Sequence, residues 1–341
     1  MMDLSSGRAT ASRRGKVTVD NGTVGNPRNG RYGEQFARAL SIVPGAVLHG
    51  VTSRGRSRAE EFAARVTAAH AYRDYDELLQ DPAVDIVYIA TRNEHHHDDS
   101  IAALHSGKPV LCEKPFALTA AQGRAIATAA RERKLFLMEA MWMRLNPAIR
   151  KIVELVEEGA IGWVSAIHAD FGLQGPFEPE HRLRNPRLGG GALLDLGVYP
   201  INLAHLIMGS PASVQSWAHL TPEGVDETTG VLLDWQPGAV AALTCSINGE
   251  SRTAASITGT EGRIDIPPGF FVPREFTLTR SGKAPETFSF PFDGNGYQFE
   301  AAEVQRCILA GELESPLVPH ATTLEIMGLL DAIREEIGVT Y

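Results

Sequence analysis

The sequence predicts an α/β protein, with a doubly wound parallel sheet in its first half and an α+β domain with a large, mainly antiparallel open sheet in its second. In the first half, short apolar runs alternate with helical patterns, which is typical of βαβ units. In the second half, β-rich runs follow one another without helices between them, which indicates an antiparallel sheet. The chain of 341 residues is long enough for two such domains.

Strands and helices alternate through the first half. The run at 46–51 predicts a strand, and a helix from Ser57 to about Val66 follows it. The run at 85–90 is almost continuously apolar, which is typical of a strand buried on both faces. The alternation continues with a helix near 97–106, a strand at 109–112, a helix at about 119–133 and a strand at 135–139. It predicts a parallel sheet, the usual site of dinucleotide binding, although a fold alone does not assign a function.

The second half changes character after a predicted helix near 147–158. The β-rich runs lie at 163–171, 230–235, 240–245 and 252–258, and helices at 192–208, 297–310 and 322–337 bracket them. Helices on one face leave the other face of an open sheet uncovered. We therefore expect a homo-oligomer that covers this face.

Composition excludes several classes of protein. The net charge of −9 argues against a nucleic-acid or anionic-membrane binder, and no apolar run approaches the length of a membrane span. Cys112, Cys245 and Cys307 lie far apart and lack metal-binding spacing. The N-terminus has arginines but no apolar core of a secretory signal. A reduced, cytoplasmic protein is expected.

Two segments carry the residues from which chemistry is predicted. Residues 110–115 read Val-Leu-Cys-Glu-Lys-Pro, so Lys114 follows a buried strand and precedes a proline, whose ring fixes the local backbone. Open α/β sheets bind ligands at such strand ends. An ordinary solvated turn is the alternative for Lys114. The run 189–200, Gly-Gly-Gly-Ala-Leu-Leu-Asp-Leu-Gly-Val-Tyr-Pro, places Asp195 four residues before Tyr199, on one face of a helix.

Five short motifs occur in order along the chain. They are 90–96 (Ala-Thr-Arg-Asn-Glu-His-His), 113–115 (Glu-Lys-Pro), 138–144 (Met-Glu-Ala-Met-Trp-Met-Arg), the run 189–200, and 296–300 (Gly-Tyr-Gln-Phe-Glu). Together they resemble the glucose–fructose oxidoreductase/inositol dehydrogenase (Gfo/Idh/MocA) family, nearest to its trans-dihydrodiol dehydrogenases and NADP-dependent D-xylose dehydrogenases. The resemblance implies a dinucleotide-binding (Rossmann) domain at 33–143. It also implies a substrate-binding and oligomerisation domain at 144–341, which forms a dimer through the C-terminal sheet.

The resemblance implies hydride transfer between a nicotinamide cofactor and the carbinol carbon of a sugar or cyclic diol. Tyr199 stands where relatives carry the acid/base, and a phenol with an ordinary pKa near ~10 needs help at neutral pH. The ammonium of Lys114 would favour the phenolate. Asp195 would orient a substrate hydroxyl. The alternatives are a helix-capping carboxylate for Asp195 and a buried aromatic for Tyr199.

Other motif residues are weaker candidates. The resemblance assigns Thr91, Asn93, His96, Glu113 and Lys114 to the cofactor, and Trp142, Arg144, Arg182 and Asp195 to the substrate. Core packing is the alternative for Trp142 and Arg144. The run 95–97 is all histidine, which also fits a solvated cluster; a zinc site is disfavoured because adjacent helical residues cannot all point at one metal.

The end of the second strand predicts NADP rather than NAD. An NAD enzyme places an acid there for the ribose 2′-hydroxyl, whereas a 2′-phosphate needs a cation. Here Ser53 and Arg54 follow the strand, Arg58 lies one helical turn on, and no acid occurs before Glu60. A hydroxyl and arginines suit a 2′-phosphate. An exposed arginine on a turn is the alternative.

The N-terminal segment departs from the family. A strand running into G-x-G-x-x-G is expected there, but the window 28–33 keeps only Gly30 and Gly33, and no apolar strand precedes it. Lys16–Val19 has strand character but lies too far upstream for the usual turn. Residues 1–32 are therefore predicted to be irregular, with the first strand missing or altered. The alternative is a divergent loop in which Gly30 and Gly33 still bind the cofactor phosphates. A non-catalytic or cofactor-impaired relative is the alternative function.

Overall fold

A six-stranded parallel sheet forms the first half of the protein. The computed structural model describes residues 16–20, 31–53, 55–236 and 238–341. The strands run in the order β3-β2-β1-β4-β5-β6, and each neighbouring pair is parallel. Their bounds are β1 Lys16–Asp20, β2 Val47–Thr52, β3 His70–Ala71, β4 Ile86–Ile89, β5 Val110–Glu113 and β6 Leu137–Ala140. Every residue of β4, β5 and β6 is buried, as their apolar sequences predict.

Helices connect these strands. They are α1 Arg31–Leu40, α2 Arg56–Val66, α3 Tyr75–Gln80, α4 His96–His105 and α5 Ala120–Arg133. Two of them begin at side chains that accept a hydrogen bond from the first turn: Asp74 accepts from the Glu77 N–H, and Thr119 from the Gln122 N–H. The predicted alternation of strand and helix is confirmed.

The prediction of a missing first strand is wrong for residues 16–20. These residues form β1 and pair in parallel with β2 on one side and β4 on the other, with Val17 opposite both Leu48 and Ile86. Valine and threonine favour a pleated strand, and that preference prevails although the connection to α1 is long. The remainder of the predicted irregular segment, 1–15 and 21–30, lies outside the described residues.

An eight-stranded, mostly antiparallel sheet forms the second half. Its order is β14-β13-β12-β11-β7-β10-β9-β8, and only β7 and β10 run parallel. The strands are β7 Val164–Gly172, β8 Ser213–Leu220, β9 Asp226–Trp235, β10 Ala239–Ser246, β11 Ala255–Gly259, β12 Gly262–Ile266, β13 Glu275–Arg280 and β14 Glu286–Ser289. The helices are α6 Pro147–Glu157, α7 Val198–Met208, α8 Tyr297–Ala310 and α9 His320–Ile337.

Helices cover one face of this second sheet. α7 packs on β7 and β10, and α9 packs on β8, so a continuous hydrophobic core extends from one sheet to the other. The opposite face is open, and alternate residues of β10 are exposed. Within the described chain, the segment Pro186–Met208 is long and apolar enough to cross a membrane, but 83% of its apolar window is buried inside the protein, as in a core helix.

Candidate active site

Lys114 lies in the buried turn that follows β5. Only 6% of the residue is exposed, and the Lys114–Pro115 peptide is cis. Its Nζ donates a hydrogen bond to the backbone oxygen of Asp195 at 3.0 Å and lies 3.6 Å from the Asp195 carboxylate. The same Nζ lies 5.0 Å from the centre of the Tyr199 ring. The alternative of a solvated turn is therefore excluded for Lys114.

Asp195 and Tyr199 lie at the junction of two helical segments. A π-helical turn, Leu193–Gly197, leads into α7, so Asp195 is in the turn and Tyr199 in the first turn of α7. The carboxylate that caps this segment belongs to Asp226, which accepts from the Leu193 N–H at 2.7 Å. The capping alternative for Asp195 is therefore wrong, and the cap comes from β9.

The glycines before this turn make room for that cap. Gly191 has φ 115°, a conformation that side chains rarely adopt, and a Cβ there would clash with the Asp226 carboxylate. Gly189 has φ 67° and a Cβ there would meet Leu118. Gly189 and Gly191 are thus explained by the close approach of the segment after β5 and of β9, and a Cβ at Gly190 would meet the backbone oxygens of Arg182 and Asn185.

Arg182 holds the Asp195 carboxylate from the loop after β7. Its two terminal nitrogens donate to the two carboxylate oxygens at 2.7 and 3.0 Å, a bidentate pair. Burial would raise the pKa of Asp195, but the positive charges of Arg182 and Lys114 outweigh it and keep that pKa well below its ordinary value. Asp195 is therefore ionised at neutral pH, between two cations.

Tyr199 is buried, with its hydroxyl in contact with one donor. The indole N–H of Trp142 donates to the Tyr199 oxygen at 2.8 Å. Burial raises the pKa of the Tyr199 phenol well above its ordinary value, and the ammonium of Lys114 offsets part of that rise. The effect predicted for Lys114 is present, but burial outweighs it in the protein alone.

Aromatic rings pack around Tyr199. Phe171 and Phe271 stack on each other at 4.9 Å, and their centres lie 5.6 and 5.1 Å from that of Tyr199. Trp142 stacks on Tyr297 at 4.6 Å. Sequence reasoning did not single out Phe171 or Phe271, because neither lies in a recognised motif and no periodicity marks them.

The edge of the first sheet offers a place for a dinucleotide. β1 lies between β2 and β4, so the strand order reverses there, and α1 begins beside the carboxyl ends of these strands. A narrow cavity at this edge is lined by Tyr32, Thr91, Asn93, His96, Glu113, Lys114, Arg182 and Asp195. The Thr91 hydroxyl is buried without a hydrogen-bond partner among the described residues. An unsatisfied hydroxyl beside such a cavity fits a bound polar cofactor.

The predicted cofactor residues take different positions along this edge. Asn93 donates to the Gly189 backbone oxygen at 3.4 Å, and Glu113 accepts a hydrogen bond from the Tyr88 hydroxyl. Ser53 is buried just after β2, whereas Arg58 is exposed on α2. Gly33 lies in the first turn of α1. Gly30 and Arg54 lie outside the described residues.

The three consecutive histidines point in different directions. His96 is buried, and its ring nitrogens lie 2.8 Å from the Pro115 carbonyl and 3.1 Å from the Thr91 carbonyl. His97 pairs instead with Asp98, and His95 lies near Glu94. In the part of the chain that the structure describes, no cluster of His, Cys, Asp or Glu could hold a metal ion.

Arg144 is the one predicted substrate residue that the structure places elsewhere. It is buried and donates to the Leu317 backbone oxygen and to the Asn202 side chain, each at 3.3 Å. Burial lowers its pKa to about 10, while the nearby Glu139 opposes that shift. These contacts tie together the segments around α7 and α9. These contacts favour the core-packing alternative for Arg144, and a substrate contact stays a prediction.

Comparisons with family models and curated proteins cover most of the chain. Residues 24–141 match the model described as an oxidoreductase family with an NAD-binding Rossmann fold, and residues 149–265 match the GFO/IDH/MocA C-terminal domain. The trans-1,2-dihydrobenzene-1,2-diol dehydrogenase of Danio rerio is 34% identical over 325 residues, 92% of this chain and 96% of the relative. That of Mus musculus is 35% identical over 326 residues, with the same coverage.

Solved structures share the fold. A 3-ketoreductase from Actinomadura kijaniata, in complex with NADP and TDP-benzene, is 27% identical with a TM-score of 0.82 over 94% of this chain and 97% of its own. A levoglucosan dehydrogenase is 22% identical with a TM-score of 0.83, and covers 95% and 97% of the two chains. The two domains, the order of the motifs and the relatives agree, and the chain belongs to the Gfo/Idh/MocA family of NAD(P)-dependent oxidoreductases.

Proposed function

We propose that this protein is an NADP-dependent dehydrogenase that transfers hydride between the nicotinamide and a carbinol carbon of a cyclic diol or sugar. The observation that carries the proposal is the buried cluster of Lys114, Asp195 and Tyr199, next to the cavity at the cofactor edge. A phenol and a carboxylate that lie on either side of one ammonium suit proton transfer at a substrate hydroxyl.

Tyr199 is the proposed acid/base. In oxidation, the phenolate takes the hydroxyl proton as the carbinol hydrogen leaves with its electron pair and the C=O bond forms. A nicotinamide held at the cofactor edge would supply the hydride acceptor. Lys114 stabilises the phenolate through its charge, and the Trp142 N–H donates to the same oxygen. In reduction, the neutral tyrosine returns the proton to the carbonyl oxygen.

A cyclic diol is the substrate class that we favour. The aromatic rings of Phe171, Phe271 and Trp142 lie next to Tyr199 and suit a flat, partly apolar substrate, while Asp195 can orient its hydroxyls. The relatives in Danio rerio and Mus musculus are named for a trans-diol of dihydrobenzene. A sugar is the second candidate, because its hydroxyls suit the same carboxylate.

NADP is the proposed cofactor. β2 ends at Thr52 and Ser53 with no carboxylate, and Arg58 is exposed one turn into α2 without an ion pair among the described residues. A cation suits a 2′-phosphate and an acid would repel it. The ketoreductase at 27% identity was solved with NADP. The cofactor-impaired alternative relied on a missing central strand and an altered glycine loop; it is not favoured, because β1 is present, while the loop at 28–30 lies outside the described residues.

We also propose a homodimer through the open face of the second sheet. Trp217 on β8, Leu232 on β9 and Val240 on β10 are 64%, 45% and 50% exposed, unusual for large apolar side chains on a sheet. The first two line a hollow of about 800 Å³ on that face. A second copy of the chain would cover these side chains.

Cofactor titration and one variant test the proposal. Binding of NADPH and NADH to the purified chain is followed by fluorescence, and we expect tighter binding of NADPH. Tyr199→Phe should keep that binding but lower kcat for diol oxidation about 10²- to 10⁴-fold, since it removes the acid/base group. The substitution also removes the oxygen that accepts from the Trp142 N–H, so thermal unfolding is measured to check that the variant remains folded. Unchanged turnover in Tyr199→Phe would exclude Tyr199 as the acid/base.

A further inference from the structure

The candidate site holds two cations and one anion beside Tyr199. Arg182 donates to both oxygens of the Asp195 carboxylate at 2.7 and 3.0 Å, whereas Lys114 lies 3.6 Å from the nearer one. The hydrogen bond of Lys114 goes instead to the Asp195 backbone oxygen, at 3.0 Å. Arg182, rather than Lys114, is therefore the main partner of the Asp195 charge.

This division of contacts matters for Tyr199. A carboxylate close to the Lys114 ammonium would cancel most of its field at the phenol if nothing else neutralised that carboxylate. With Arg182 paired to Asp195, the three groups carry a net charge of one positive unit, and the ammonium lies 5.0 Å from the Tyr199 ring centre. All three groups are largely buried, so water screens them little.

We propose that Arg182 is a positioning residue that neutralises Asp195, so that the charge of Lys114 acts on Tyr199. The proposal rests on the proposed function, in which Tyr199 is the acid/base. Arg182 acts through Asp195 and Lys114 and transfers no proton itself. Removing its charge leaves the Asp195 carboxylate to cancel the field of the Lys114 ammonium at the phenol, which disfavours the phenolate.

Four other groups also lie around Tyr199. They are Tyr32 on α1, Glu113 at the end of β5, Trp142 after β6 and Tyr297 on α8. None of them is an ion-pair partner of Arg182 among the described residues. A shift in the apparent pKa of the base on changing Arg182 would therefore be attributed to the loss of its ion pair with Asp195.

The same loop supplies a matched control. Arg184 donates to the Glu223 carboxylate at 2.7 and 3.2 Å and to the Phe177 backbone oxygen at 2.9 Å. It therefore ties the loop to the turn after β8 without contacting Asp195. Arg184→Gln removes an arginine and an ion pair from the loop and leaves the charge balance at Tyr199 intact.

The test compares Arg182→Gln, Arg182→Lys and Arg184→Gln with the wild type. The pH profile of kcat/KM for oxidation is measured, with NADPH affinity as the control for folding and cofactor binding. In Arg182→Gln we expect the apparent pKa of the base to rise by roughly one unit, because a like charge disfavours the phenolate. This lowers kcat/KM about tenfold near neutral pH and less at high pH. Arg182→Lys should restore most of the wild-type kcat/KM near neutral pH, and Arg184→Gln should keep the wild-type pH profile.

Two outcomes would overturn the inference. One is an equal loss of kcat/KM at every pH in Arg182→Gln, which indicates a direct substrate contact. The other is the same shift in Arg184→Gln, which indicates loop disruption. Tyr199→Phe separates this inference from the proposed function: if it keeps full activity, the proposed function fails, whereas a lost activity with an unmoved Arg182→Gln profile overturns only the role of Arg182.

Discussion

His96 shows how one buried side chain ties two strand ends together. Its ring lies between the carbonyls of Thr91, after β4, and Pro115, after β5. Burial lowers the pKa of His96 to about 4, so the ring is neutral at pH 7 and carries one N–H, which it donates to one of these carbonyls. His96 thereby positions the turn that carries Lys114, and a contact with the nicotinamide stays a prediction.

The buried, neutral His96 predicts a pH-dependent contribution to stability. As the pH falls below about 6.5, the unfolded chain binds a proton at His96 while the folded protein does not until about pH 4. Between these values the free energy of unfolding should fall, by at most about 3 kcal/mol for this group. We expect the stability advantage of the wild type over His96→Gln to shrink over that window, measured by denaturant unfolding.

His97→Gln on the same helix provides the control. The His97 side chain is partly exposed and pairs with Asp98, so its removal should change the free energy of unfolding little at any pH. A constant difference between wild type and His96→Gln from pH 7 to pH 4 would contradict the buried, neutral state of His96.

The residues of the candidate site were predicted unevenly from the sequence. Lys114, Asp195 and Tyr199 lie in short motifs, and the structure places the Lys114 ammonium beside both of the other two. Asp226 and Phe271 were not predicted, because each reaches the site from a segment distant in sequence and neither has a local signal. Roles for individual residues stay proposals until variants are measured.

At the scale of elements, β1 determines where a cofactor could lie. The strand pairs with β2 and β4, and the strand order reverses at β1. Tyr32 in the first turn of α1 lines the same cavity as Thr91, which follows β4. Without β1, the edges of β2 and β4 would be exposed. The position of the strand was not predicted, because the connection from Asp20 to α1 is longer than the usual glycine-rich turn.

The central place of β1 predicts a large effect of Val19→Pro. Proline lacks the N–H that a strand between two neighbours needs, so the variant should lose about 1–3 kcal/mol or more of stability and bind NADPH more weakly. Thermal unfolding and cofactor titration measure the two effects. Val19→Thr, which keeps the N–H and the β-branched shape, is the control. An unchanged unfolding midpoint in Val19→Pro would mean that residues 16–20 do not form the central strand.

At the scale of the whole molecule, the two faces of the second sheet differ. One is buried under α7 and α9, and the other exposes Trp217, Leu232 and Val240. The expected open sheet is confirmed, while the dimer stays a proposal. The three cysteines are buried and unpaired, and a cytoplasmic location also stays a prediction.

Trp217→Glu tests the proposed dimer. A buried charge in an apolar interface is costly, so the variant should shift the protein from dimer towards monomer in light scattering after size exclusion. Leu309→Glu, a change at a 57% exposed leucine on α8, is the control and should keep the wild-type mass. A monomeric wild type, or equal masses for wild type and Trp217→Glu, would exclude this face as the interface.

The sequence by itself determined the alternation of strands and helices, the two kinds of sheet and the motifs that carry Lys114, Asp195 and Tyr199. These features are local, since periodicity and short spacings depend on neighbouring residues. Only the tertiary structure decided the position of β1, the cap by Asp226, the pairing of Arg182 with Asp195 and the packing role of Arg144. Each of these depends on contacts between segments that are distant along the chain, which a local pattern does not encode.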